Sequence, residues 1–401
     1  MTTTEPARTG PLHPAELLTD AMLTRFDERA PEYDRGNRFF SEDFDELRES
    51  GYLLAAVSEE YGGAGLRLTD VAALQRRLAY HAPATAVGVN MHLYWTGVAA
   101  DLLRMGDDSL VWLLDAAAAG HVFAAGHGER GNDVPMLAST SIAERVDGGW
   151  RISGHKIFGS LSPVWTFLGV HAMDTSDPSA PKVVHAFIPR DSPGVSVVET
   201  WDTMGMRATT SHDTMLDDVF VADEHVALVC PAGFAGASPF HLGVFAWVMM
   251  GFGAVYLGIA GRAYDMTIAD AQRRTSISLT RSLAHHPGVQ SHVADMRMQL
   301  ESAAALLERT CADWSDGVDH AGDWPVKLLA AKYMVVNQAW KVVDTAMDLS
   351  GGSGIFRGRR LEQLFRDARL GRIHPGNDLF THETIGKLSL GIDPDAQPRW
   401  G

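Results

Sequence analysis

Between Val244 and Gly261 the chain reads VFAWVMMGFGAVYLGIAG, a run without a single charged side chain. A helix that is apolar on every side cannot lie on a protein surface, so other helices or lipid must surround it. The run is about as long as the shortest membrane span. It nevertheless carries four glycines, lacks flanking basic clusters and sits among amphipathic segments, which predicts a core helix of a bundle and no membrane span. Encasing such a helix takes a sizeable core. The chain has 401 residues, 46% of them hydrophobic, enough for two or three domains.

The periodicity changes twice along the chain. Up to about Gly120 it is helical, with Phe39 to Glu49 and Leu68 to His81 as helices, a loop at EEYGGAG and a boundary at Pro83. From His121 short alternating segments follow. STSIAERV and WRISGHKIF flank Asp147-Gly148-Gly149, a hairpin signal, and VVHAFIP, GVSVVE and TMLDDVFVA continue the strands. After Pro231 helical periodicity returns, over roughly 239 to 275, 288 to 315, 324 to 350 and 359 to 373. The expected architecture is α+β: an N-terminal helical domain (1–120), a β-sandwich or barrel (121–232) and a C-terminal four-helix bundle (233–401).

Charge excludes some functions. Lys and Arg number 34 against 50 Asp and Glu, a net of -16, which disfavours nucleic acid and anionic membranes as partners. Cys230 and Cys311 are too few for a disulfide framework, and MTTTEPARTGPLHP shows no secretory pattern, so a cytoplasmic location is expected. No metal site is expected either, because His285, His286 and His292 have no carboxylate or cysteine to complete a set. A G-x-S-x-G elbow, a P-loop and a strand leading into G-x-G-x-x-G are all absent.

Five other motifs occur in register: SEEYGGAG from Ser58, FAAGHGERGND from Phe123, GHKIFGS from Gly154, GMRATTS from Gly205, and DLSGGSGIF from Asp348 with FRDAR from Phe365. In order and spacing they resemble the acyl-CoA dehydrogenase superfamily over most of the chain. The resemblance implies a flavoenzyme that holds FAD between the β-domain and the C-terminal helices, as a homotetramer. By position, Ala125 and Gly126 would face the flavin pyrimidine, Phe158 would lie against the isoalloxazine, and Ser160 would stand near N5. Gly131 and Asn132 would approach the pyrophosphate, Arg274 or its neighbour Arg273 would neutralise it, and Asn377 would stand by the cofactor. Leu349, Gly351 and Gly352 of a neighbouring subunit would meet the adenosine diphosphate. Asp348 departs from the family's usual Gln, and the R-x-Q-F-G pattern near Arg274 is lost, which suggests a loosely held or reduced flavin.

The expected catalytic carboxylate is missing. In the family's dehydrogenases a glutamate removes the proton α to a thioester carbonyl. It either follows the Arg-Asp-Ala-Arg helix, where this chain has His374-Pro375-Gly376-Asn377, or lies on the first long C-terminal helix, where it has Val248. One reading keeps dehydrogenation of an apolar acyl thioester and replaces the base by His374 or Asp378, or by Glu383 on the next helix, with an electron-transfer flavoprotein as partner. A second resembles the superfamily's monooxygenases, which receive reduced flavin from a reductase; here His92, Ser160 and His374 form the matching set, with an aromatic or amine substrate. His127, where the family commonly has Glu, is a further candidate. A third is a non-catalytic scaffold. Dehydrogenation is placed first. Tyr94, Trp95, Phe245, Trp247 and Val248 are the expected substrate pocket, and the same residues would serve equally as core.

Overall fold

The computed structural model describes residues 12–396; the first eleven residues, on which the leader reading rests, and residues 397–401 lie outside that range. In chain order the helices of the first part are α1 (Pro14–Leu17), α2 (Asp20–Gly36), α3 (Ser41–Ser50), α4 (Leu68–His81), α5 (Pro83–Arg104) and α6 (Val111–Ala118). Strands follow: β1 (Phe123–Gly126), β2 (Ile142–Val146), β3 (Gly149–Gly159), β4 (Phe167–Asp174), β5 (Lys182–Pro189), β6 (Val195–Val198), β7 (His212–Ala222) and β8 (Val226–Pro231). The last part holds α7 (Pro239–Arg273), α8 (Pro287–Ser315), α9 (Trp324–Ser350), α10 (Arg360–Arg369) and α11 (Asp378–Leu390).

The uncharged run lies within α7, which Ser238 and Pro239 open. α4, α5, α8 and α9 pack around it, and 83% of its most apolar window is buried; among the described residues no other helix is long and apolar enough to cross a membrane. Its surroundings are therefore side chains of this fold. Two tryptophans show how tightly the core is fitted. The indole of Trp247 occupies the space a Cβ on Gly97 would need, 2.4 Å away, and the indole of Trp95 does the same over Gly169. Glycine at those positions permits the close approach.

The strands form one mixed sheet in the order β6-β7-β3-β2-β4-β5-β8, with β1 parallel to β4 off that path. Within it, β6-β7-β3-β2 and β1-β4-β5-β8 are two halves, joined along the path by one pair, Ile142 opposite Met173. The predicted hairpin is β2 and β3, paired antiparallel from Val146 opposite Gly149. The segment expected as one helix over 359–373 ends as α10 at Arg369 and continues as a tight 3-10 turn over Leu370–Arg372.

Candidate active site

The turn after α10 is held from below by a buried lysine. Lys332 on α9 donates to the carbonyl oxygens of Gly371 (3.1 Å), His374 (3.0 Å) and Gly376 (3.1 Å). Three carbonyls solvate an ammonium that burial otherwise disfavours, and its pKa is pushed down to about 7. Above the turn, the His374 ring lies 4.2 Å from that of Phe252, and its Nδ1 is 3.3 Å from the Tyr256 hydroxyl. Burial, reinforced by Lys332, pushes the imidazole down to about 3, so it is neutral at any working pH. Phe245, Met249, Phe252 and Tyr256 recur at helical spacing, which places Phe245, with Val248 beside it, on the side of α7 that faces His374.

Neither carboxylate near this turn is free. Asp378 pairs with Arg372 at 3.0 Å and Glu383 with Lys387 at 2.9 Å. Asn377 spends its side chain as the N-cap of α11, accepting from the Phe380 amide at 3.0 Å.

A second cluster gathers where β3 ends. Phe158 and Leu161 have φ of +61° and +66°, and Met206 and Thr210, in the GMRATTS loop, have +53° and +46°. Non-glycine residues in the left-handed region cost energy and collect at functional sites. Phe158 is 57% exposed although aromatic, a free flat face at the sheet's end. Next to it the hydroxyls of Ser160, Ser211 and Thr209 form a chain, each link 2.7 Å. α10 holds this loop. Asp367 accepts from the Met206 amide at 2.5 Å, and Arg366 binds Asp34 of α2 with both terminal nitrogens and the Met204 carbonyl with one.

A third element is a cavity of about 610 Å³ between α7, the end of α9 and the start of α10. Its lining includes Arg273, Arg274, Arg359 and Arg360 against one carboxylate, Asp270, a clear excess of positive charge. Arg274 is fixed by Asp270 (2.8 Å) and by the carbonyls of Leu349 (3.1 Å) and Ser350 (3.0 Å). Leu349 lines the cavity; a side chain at Gly351 would point toward the Arg274 guanidinium, and one at Gly352 would meet open space. The departing Asp348 is exposed and does not line it. None of Ala125, Gly126, Phe158 or Ser160 lines it either, so the two groups of cofactor candidates occupy separate places in one chain.

Three family models cover the chain in sequence: the acyl-CoA dehydrogenase N-terminal domain over residues 16–110, the middle domain over 123–219 and the C-terminal domain over 242–390. The chain belongs to the acyl-CoA dehydrogenase superfamily. It is 30% identical to a putative acyl-CoA dehydrogenase, YdbM, of Bacillus subtilis, over 89% of this chain and 91% of that one. It is 28% identical to an L-evernosamine nitrososynthase of a Micromonospora species, over 96% and 93%. Among solved structures it matches KijD3 in complex with FMN and a dTDP-linked amino-keto sugar, at 27% identity and a TM-score of 0.82, over 94% and 93%. As a member of this acyl-CoA dehydrogenase superfamily the protein is a flavin-dependent oxidoreductase.

Hydrogen bonding and burial sort the remaining candidates. His92 is a core residue. Its Nε2 donates to the Leu53 carbonyl at 3.0 Å and its Nδ1 accepts from the Phe123 amide at 3.1 Å, so no ring nitrogen is left for a substrate. Burial pushes it down to about 4. Trp247 donates to Asp101, and Trp95 to the Ala124 carbonyl, so these two expected pocket residues are core. Tyr94 is buried with its hydroxyl unpartnered, as is Nε2 of His127, whose ring packs against Trp95. Asn132 turns its amide into its own loop, onto Glu129 and Ala138, whereas Gly131 stays exposed at φ +78°. Ala125 and Gly126 lie buried in β1.

Sequence reading missed Lys332, Tyr256 and Asp367 as site residues. A lone lysine in LLAAKYMVV was a usable signal, since an unpaired charge inside an apolar face needs a polar destination.

Proposed function

We propose that this flavoenzyme is an oxygenase that takes its flavin reduced from a separate reductase and oxygenates an amine or aromatic substrate, rather than a thioester dehydrogenase. One observation carries the reading: the place of the dehydrogenase base holds no available base. Pro375 has no titratable group, Asp378 and Glu383 are ion-paired, and His374 has its Nδ1 against the Tyr256 hydroxyl and is disfavoured as a proton acceptor by the neighbouring Lys332. Val248 removes the other known position. This reverses the order that the sequence suggested.

Oxygenation does not need that carboxylate. Bound reduced flavin supplies the electrons that activate oxygen. This chain's residues have four tasks: Phe158 offers a flat face, Ser160 a hydroxyl at the sheet's end, neutral His374 a polarisable hydrogen-bonding edge, and Phe245, Val248 and Phe252 a dry wall. The arginine-rich cavity suits a dinucleotide's phosphates, which favours FAD over FMN, and the separation of the two cofactor groups fits a site completed by a second subunit in a homo-oligomer. The nitrososynthase likeness supports an amine substrate. Thioester dehydrogenation remains the second reading because of the YdbM likeness.

The test is stopped flow. The protein is loaded with FAD, reduced anaerobically and mixed with oxygen. We expect a transient absorbing species distinct from both reduced and oxidised flavin. Direct return to oxidised flavin, together with anaerobic bleaching by an acyl-CoA, would sink the proposal.

A further inference from the structure

Away from the candidate active site, β5, β8 and the first turn of α7 bring three soft donors together. Antiparallel pairing sets Val183 opposite Cys230 and His185 opposite Leu228, so Cys230 and His185 are diagonal neighbours on one face of the sheet. The turn after β8 folds back and starts α7 at Ser238, which lays His241 across the same face. Cys230, His185 and His241 are 7%, 2% and 1% exposed. One donor atom from each lies within 4.8 Å of the others.

The hydrogen bonds leave this cluster with unmet valence. His241 Nδ1 lies 3.0 Å from the Ser238 hydroxyl, the support through which metal-ligating histidines fix their tautomer. With that proton on Nδ1, Nε2 offers a lone pair. It faces Nε2 of His185 at 3.1 Å. A cation between the two Nε2 atoms needs the His185 proton on Nδ1, which is buried and has no hydrogen-bond partner. The Cys230 thiol has only the Val183 carbonyl, at 3.9 Å. Buried polar atoms are seldom left so.

We propose that His185, Cys230 and His241 bind a zinc-type divalent cation that staples the sheet to the start of α7. Two nitrogens and one thiolate form a tetrahedral set with one position for water, and Zn–N distances of about 2.0–2.1 Å separate the two nitrogens by roughly 3.3 Å. The two rings therefore need to open only slightly, while the sulfur must close in by a side-chain rotation. Binding releases the thiol proton to solvent. The ion orients α7, on which Phe245, Val248 and Phe252 are carried.

The full chain, stripped with a chelator, is titrated with Co2+ and with Zn2+. The expected result is one equivalent per chain, a thiolate-to-cobalt charge-transfer band, displacement by Zn2+, and a Tm raised by the metal. Cys230→Ser should abolish the band and weaken Co2+ binding by more than the roughly 10–100-fold that losing a supporting hydrogen bond costs. Should that variant fail to fold, a cadmium-113 NMR shift on the unsubstituted protein reports sulfur ligation directly. No stoichiometric binding, a band that survives Cys230→Ser, or a cadmium shift of oxygen and nitrogen ligands only would overturn the proposal.

Discussion

The ring beside the place of the missing base is that of His374. Replacing it by Phe keeps the contact with Phe252 and removes both ring nitrogens, so flavin should still bind while turnover falls by about 10²-fold or more, the usual cost of losing a group that acts in the transition state. Asp378→Asn should leave turnover within about threefold, because the carboxylate is already committed to Arg372. Steady-state rates of both variants check this; a dead Asp378→Asn enzyme would reinstate the carboxylate as the base. Arg274→Ala should weaken FAD by roughly 10-fold or more, the worth of a charge-assisted hydrogen bond, and leave FMN nearly unchanged. Calorimetry with the two flavins separates these outcomes. What made His374 a candidate in the sequence is the proline that occupies the family's base position beside it. The partners of His92 were not legible, because nothing in VNMHLYW shows that the Leu53 carbonyl and the Phe123 amide use both ring nitrogens.

At the scale of elements, α10 is the clamp on the strained GMRATTS loop. Asp367 is 1% exposed, and burial pushes it up to about 7. Its role is to accept the Met206 amide, which an uncharged amide oxygen does equally well. Asp367→Asn should therefore be close to neutral, whereas Asp367→Leu strands that amide and should cost about 1–3 kcal/mol and loosen flavin binding. Denaturation of both variants, with a flavin titration alongside, decides it. Most elements were legible from periodicity, since α8 and α9 fall within a residue of the expected spans. The end of α10 was not: its last turn tightens around Lys332, a partner from another helix that no local pattern announces.

For the molecule as a whole, buried histidines set the acid limit. His92 is held down to about 4 and His127 and His374 to about 3, and burial holds His171 well below its ordinary value. A histidine whose folded pKa lies below its unfolded value, near 6.5, binds its proton more readily when unfolded. Stability from these groups is complete above about pH 6.5 and is lost as pH falls from there toward 4. Asp43 and Asp367, both raised to about 7, work in the opposite direction, being most favourable when protonated. The histidines outnumber them, so Tm should fall steadily between pH 6.5 and 4.5. A flat Tm across that range would mean that the fold accommodates imidazolium at these positions.

The seating of Trp95 on Gly169 and of Trp247 on Gly97 also constrains how this lineage can change. Neither glycine can acquire a side chain while its tryptophan stands, but each tryptophan can shrink first, at the expense of a void. Substitutions at these pairs are therefore ordered in time. Among descendants and cousins of this chain, intermediates with the small aromatic partner and the glycine should outnumber those with the converse pairing.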